Sequence, residues 1–220
     1  MEDLLLPPKR VQVGHHALDG DLVVPPQARG LVVFAPDIGR TRRNPHHLHV
    51  AHALHECDLG TLLFDLGPSQ ETPDGSEDTM MPSERLLEAI DWLDRRPALA
   101  ALPLGLLGIG IGAAVALIAA AKRPQRVGAV VSCGGWLTPA LETLSKVSAP
   151  TLLIAGGADT EVLAMNRKAQ ARLPGSSDLV VLPRIRHLFE QASARDRACE
   201  LACRWFTQRL PPRARGARHG

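Results

Sequence analysis

The stretch Leu104-Gly105-Leu106-Leu107-Gly108-Ile109-Gly110-Ile111-Gly112-Ala113-Ala114-Val115-Ala116-Leu117 leaves the chain few folding options. An apolar run ends in glycines at alternate positions and passes directly into an alanine-rich helical pattern. That reads as a buried strand, a very tight turn and a helix start. The spacing is that of G-x-S-x-G, the nucleophile elbow, in which small flanking residues let a strained turn pack between its strand and its helix. The central position here is Gly110. Glycine adopts the backbone of such a turn at no steric cost, but it has no side chain with which to attack a substrate. The stretch therefore specifies an architecture more clearly than a chemistry.

At 220 residues and 45% hydrophobic content, the chain can bury one substantial core. One domain is expected over 9–210, after an N-terminal extension, 1–8, and before a basic tail, 211–220. Pro211, Pro212, Arg213, Arg215, Gly216 and Arg218 mark that tail as disordered. A formal charge of +2 and 3% aromatic residues leave neither a basic face nor stacking groups for nucleic acid. Glu2 and Asp3 stand where a secretory signal needs cations, and Pro103 and several glycines break the longest apolar run, residues 98–121. Neither a membrane association nor a signal peptide is expected, and a cytoplasmic location is. Cys57, Cys133, Cys199 and Cys203 read as reduced thiols rather than a disulfide framework in a chain this large, and Cys199 and Cys203, one helical turn apart, have no second pair at zinc spacing.

Taken in order, Lys9 to Val13 and Ala17 to Val24 alternate as two strands of an antiparallel hairpin. Leu31 to Ala35 is a strand buried on both faces. Asn44-Pro45 signals a helix running to about Cys57. Thr61 to Leu66 is another buried strand, followed by a polar loop over 67–81 and an amphipathic helix from Pro82-Ser83 to about Pro97. Beyond the elbow helix, strands are expected over 127–132, 151–155 and 179–182. A weak helix is expected at 139–146, a helix capped by Asp159-Thr160 to about Leu173, and a closing helix over 194–210. Strands alternating with helices in this way predict an α/β fold, a mostly parallel doubly wound sheet with helices on both faces and no large lid domain. Its ligand site belongs at the carboxyl ends of the strands.

With these elements in place the chain resembles the α/β-hydrolase fold, most closely the dienelactone-hydrolase-like family, over residues 9–210. The carrying segments are the elbow, Leu31 to Ala35 with its loop, Thr61 to Asp65, Pro150 to Asp159, and Arg186-His187-Leu188-Phe189-Glu190. The resemblance implies a triad in the order nucleophile, acid, histidine, with the acid at Asp159, the base at His187 and the nucleophile position vacant at Gly110. Both loops end at the same sheet edge, where an acid can hold the tautomer of an imidazole. Taken singly, Asp159 reads equally well as a helix cap and His187 as a satisfied loop histidine.

The departures from the family pattern matter as much. Ile109 and Ile111 flank Gly110 where small or polar residues are usual, and Pro36-Asp37-Ile38-Gly39 replaces a His-Gly-type oxyanion loop. The backbone N–H of Ile111, with that of Asp37 or Ile38, remains an oxyanion donor pair, although Asp37 brings a negative charge. Cys133 is the best substitute nucleophile, against its reading as a buried inert thiol. Asp65 ends a central strand, either contacting substrate or capping its loop. Trp136 walls the pocket or packs in the core.

Two further signals compete. Gly108-x-Gly110-x-x-Ala113 fits the relaxed dinucleotide fingerprint but lies mid-chain with no acid on the next strand, so no cofactor is expected. His46, His47, His49, His52 and His55 crowd one helix and read as a solvated face, since no third metal ligand is identifiable. The leading expectation is an enzyme using the Asp159–His187 pair as general acid/base on a small organic substrate, through water-mediated hydrolysis or a lyase or cyclase step. The first alternative is a catalytically silent pseudoenzyme that binds a small molecule or protein, and the second a serine hydrolase whose nucleophile was replaced by engineering. A monomer or homodimer accommodates all three.

Overall fold

The computed structural model describes residues 6–35, 41–65 and 80–211. The extension before residue 6, Asp37 and Ile38 of the strand-end loop, most of the polar loop over 67–81, and the basic tail from residue 212 lie outside the described residues.

Strands β1 (Lys9–Val13), β2 (Leu18–Val23), β3 (Gly30–Ala35), β4 (Leu59–Phe64), β5 (Leu104–Ile109), β6 (Val127–Cys133), β7 (Thr151–Gly156) and β8 (Ser177–Leu182) form one sheet in the order β1-β2-β4-β3-β5-β6-β7-β8. The expected hairpin turns through Gly14-His15-His16-Ala17, which pairs Val13 with Leu18. β2 then adds antiparallel to β4, and all pairings from β4 across to β8 are parallel. The parallel strands are continuous apolar runs because both faces of the sheet are covered.

Alternate residues of β3 show how the two cores divide. Leu31, Val33 and Ala35 face one hydrophobic cluster with α2 (Met80–Asp94), α4 (Gly112–Lys122) and Ala169 of α5 (Thr160–Gln170). Val32 and Phe34 face the other, with α1 (Pro45–Glu56) and α6 (Ala192–Arg209). Between α2 and β5 runs the short α3 (Pro97–Ala100), which the sequence pattern does not show. Residues 112–120 of α4 are buried all round, and their small side chains let this helix lie close to both the sheet and α2. The weak helix expected at 139–146 is instead two separate 3-10 turns, Thr138–Ala140 and Leu144–Lys146, the tighter form that short connecting segments take.

Asn44 starts α1 as its sequence predicts: its side chain accepts the His46 N–H at 2.9 Å, with Pro45 in the first turn. The histidines of α1 are not one solvated face. His47 is 2% exposed, His49 pairs with Asp196 of α6 at 3.0 Å, and His55 Nε2 lies 2.7 Å from Thr61 Oγ1 on β4. Burial, reinforced by the charge of His52, lowers the His55 pKa to about 4. Because the ordinary value is near 6.5, the unfolded chain binds this proton first, so stability is complete above about pH 6.5 and falls as pH drops toward 4. The denaturation midpoint should therefore fall between pH 7 and pH 5. His55→Gln, whose amide can keep the Thr61 bond, should flatten that slope, and an unchanged slope would remove His55 as its source.

Candidate active site

β5 ends in a turn built for close approach. A Cβ on Gly108 would lie 2.4 Å from Ala113 Cα, so only glycine lets the first turn of α4 fold back onto the strand end. Gly110 has φ +55°. Its N–H donates to Cys133 O at 3.1 Å, and its carbonyl accepts from Ala113 N–H at 3.2 Å and Trp136 N–H at 3.0 Å. The elbow is thus pinned to the end of β6 on one side and to α4 on the other, with position 110 at its tip.

Two further strand-end loops are tied together beside it. Gly157 N–H donates to Leu182 O at 2.8 Å and Ala158 N–H to Ile185 O at 2.9 Å, joining the loop after β7 to the loop after β8. A Cβ on Gly156 would sit 2.3 Å from Ile185 O, so the crossing needs a glycine there. These bonds carry Asp159 and His187 to the same sheet edge. Leu188, 4% exposed, anchors the second loop in the core and leaves the neighbouring His187 at the surface.

Gly110, Ile111, Asp159 and His187 line one cleft of about 930 Å³. Ile109, Cys133, Trp136 and Phe189 complete much of its apolar wall, while Asn44, His46, His47, Glu161, Arg186 and Glu190 make the rest polar. Trp136 is 39% exposed and faces this space rather than being enclosed in the core. The Asp159 carboxylate caps α5, accepting Val162 N–H at 3.1 Å. Among the described residues no hydrogen bond joins it to the His187 ring. Cys133 is 2% exposed, and burial, with Cys199 nearby, pushes its thiol far above the ordinary range, so it is not a ready thiolate.

Asp65 is engaged elsewhere. It accepts the Arg42 backbone N–H at 2.8 Å and pairs with the Arg42 guanidinium, which also reaches Asp21 at 3.2 Å. Arg42 is 7% exposed, so Asp65 and Asp21 compensate a buried cation at the junction of β2 and β4. Asp37 and Ile38 lie outside the described residues.

Sequence reasoning missed the polar wall contributed by Asn44, His46 and His47. The signal was present: a helix that follows a parallel strand begins at the strand's carboxyl edge, so the first turn after Asn44-Pro45 had to face the mouth of the site. Among the described residues, the histidines of α1 do not form a three-ligand metal cluster.

A parallel sheet entered by an antiparallel hairpin, a strand-turn-helix elbow at mid-sheet and an acid and histidine on the later strand-end loops define the α/β-hydrolase class. Within it, the chain belongs to the dienelactone hydrolase family, whose model matches residues 27–208. The crystal structure of a dienelactone hydrolase from Anabaena variabilis superposes with a TM-score of 0.86 at 40% identity, covering 94% of this chain and all of that one. A dienelactone hydrolase-like promiscuous phosphotriesterase from metagenomic libraries shares the fold alone, with a TM-score of 0.73 at 18% identity over 92% of this chain and 98% of that one. Two Mycobacterium tuberculosis proteins, from strains CDC 1551 and H37Rv, provisionally named as phosphoribosyl transferases, are 41% identical over 91% of this chain. The chain spans about half the length of these curated relatives, 46%. Among the described residues, no helix is long and apolar enough to cross a membrane.

Proposed function

We propose that this chain is a dienelactone-hydrolase-family enzyme that works without a seryl nucleophile, using His187 as general base and acid on a small organic substrate. The observation that carries this reading is the convergence of Gly110, His187 and Asp159 on one cleft. With no side chain at position 110, the attacking group has to come from a water or from the substrate itself. His187 takes a proton from that water as it adds to a carbonyl, or from the carbon next to the carbonyl, and returns it to the leaving group. Asp159 holds the ring and stabilises its charged form once substrate draws the two together. The developing oxyanion forms beside the start of α4, where the positive end of the helix dipole stabilises it.

A second reading is a binder without turnover. It is favoured by the capping bond that engages Asp159 with Val162 and by the missing bond between Asp159 and His187. Because relatives of about double length carry a phosphoribosyl-transferase name, phosphoribosylated compounds join esters and lactones as substrate classes to test.

The test is turnover of such a panel by the chain and by His187→Ala. His187 is exposed, so its removal should leave the melting temperature within a degree or two while lowering the rate by about 10²-fold or more. A rate that survives the substitution removes His187 from the mechanism. Ligand binding without turnover in both proteins establishes the binder.

A further inference from the structure

Far from the cleft in the sheet order, at its β1–β2 edge, three metal-ligating side chains converge that the proposed chemistry does not use. His15 and His16 form the tip of the β1–β2 hairpin, and Glu88 stands on α2, which packs beneath it. His15 Nδ1 lies 2.7 Å from Glu88 Oε1, and His16 Nδ1 lies 2.7 Å from Glu88 Oε2. The ligand atoms of all three residues fall within 4.8 Å of one another. The carboxylate is 8% exposed, whereas the two imidazoles are 74% and 42% exposed.

The hairpin is shaped around this carboxylate. Gly14, at φ +72°, brings the turn so close that a Cβ there would lie 2.1 Å from Glu88 Oε1. The His16 backbone N–H donates to Oε1 at 2.8 Å, which fixes the carboxylate without occupying either imidazole. Burial raises the pKa of Glu88, but the hydrogen bonds from His16 and His15 outweigh it and hold the group below the ordinary carboxylate range. Arg85 shares the Oε2 edge at 3.4 Å, a long contact and the one arginine or lysine there among the described residues.

We propose that His15, His16 and Glu88 form a binding site for a borderline divalent cation, zinc above all, that staples the edge hairpin to α2. Two imidazoles and one carboxylate are a zinc ligand set that leaves a fourth position for water. In the metal-free protein each Nδ1 carries the proton that bonds to Glu88. On binding, that proton moves to Nε2, leaving the Nδ1 lone pair for the metal. With metal–ligand bonds of about 2.0–2.1 Å, ligand atoms of a tetrahedral site stand roughly 3.3 Å apart, so the rings move outward by roughly half an ångström. Their exposure at a turn allows that. The metal would tie residues 72 apart in sequence across an edge that β1 closes through β2 alone.

The probes are Co2+ and Zn2+ added to the tag-free, chelator-treated full chain. One equivalent of Co2+ should give the intense visible absorption of a low-coordinate site, bleached by Zn2+. Zinc at about a hundred times its Kd should raise the melting temperature by about 5 °C or more. His15→Asn/His16→Asn should abolish both effects, and His15→Asn alone, at a position too exposed to unfold the chain, should weaken binding at least ~10-fold. His49→Asn/His52→Asn should retain both, which separates this site from the histidines of α1. The proposal fails if no saturable Co2+ band appears, or if the band and the thermal shift survive in His15→Asn and in His15→Asn/His16→Asn.

Discussion

Gly108→Ala is expected to lower the melting temperature by roughly 6–12 °C, the shift that corresponds to about 3 kcal/mol in a chain of this length. Ordinary overpacking of a core costs about 1–3 kcal/mol because flexible side chains give way. At Gly108 the atoms in the way belong to the backbone: Ala113 Cα at 2.4 Å, Gly112 O at 2.4 Å and Ala113 N at 2.6 Å from the added Cβ. Relief means moving the first turn of α4, whose next residues are buried all round between the sheet and α2. The helix cannot shift alone without opening voids along that face. Gly105→Ala is a useful contrast, because there the new Cβ meets the Phe206 ring at 2.6 Å, a side chain that can tilt. Thermal denaturation of both variants measures the difference. A Gly108→Ala midpoint within a degree of the parent would show that the elbow has slack. Since position 110 is only two residues further on, the same substitution should also disturb the cleft.

The elbow was legible because its chemistry is local: a glycine two residues before the turn and small residues after it leave few other packings. That Asp159 and His187 would share one edge was legible for the same kind of reason, since each lies in the loop that follows a parallel strand and parallel strands end on one edge. What α1 does was less legible. Its histidines repeat around the helix, and only the docking of α1 against β4 and α6 buries His47, pairs His49 with Asp196 and turns His55 toward Thr61. The pairing of Asp65 with Arg42 depends on the antiparallel addition of β2 to β4, which brings Asp21 alongside, and nothing within either segment encodes that register. His15, His16 and Glu88 lie in elements read separately as a hairpin turn and a helix face. Their convergence requires knowing that α2 passes under β1. Asp159 fits both of its sequence readings at the level of position, as a helix cap by its bond to Val162 and as a residue of the cleft that holds His187.

Gly110→Ser tests the vacant position directly. With φ at +55°, a serine there is held in a sparsely populated conformation, at a cost of about 1–3 kcal/mol. The bonds that pin the turn, Gly110 N–H to Cys133 O and Gly110 O to Ala113 and Trp136, are backbone bonds that a serine retains. The fold should therefore survive with a melting temperature lowered by several degrees. The new hydroxyl would stand in the cleft that holds His187 and Asp159. If His187 is positioned as a base and the oxyanion donors are in place, the variant should become acylated by activated short-chain esters and labelled stoichiometrically by a fluorophosphonate, neither of which Gly110 can sustain. General-base assistance contributes typically about 10²–10⁴-fold, so Gly110→Ser/His187→Ala should lose most of the gained rate. Adding Asp159→Asn to Gly110→Ser separates the two roles of that carboxylate. The amide oxygen can still cap α5, but it no longer stabilises a charged imidazole, so a fall in rate without a fall in stability assigns Asp159 to the histidine. A Gly110→Ser protein that folds but is neither labelled nor acylated would mean that the cleft has lost its base or its oxyanion site along with its serine, and would favour the binder over the enzyme.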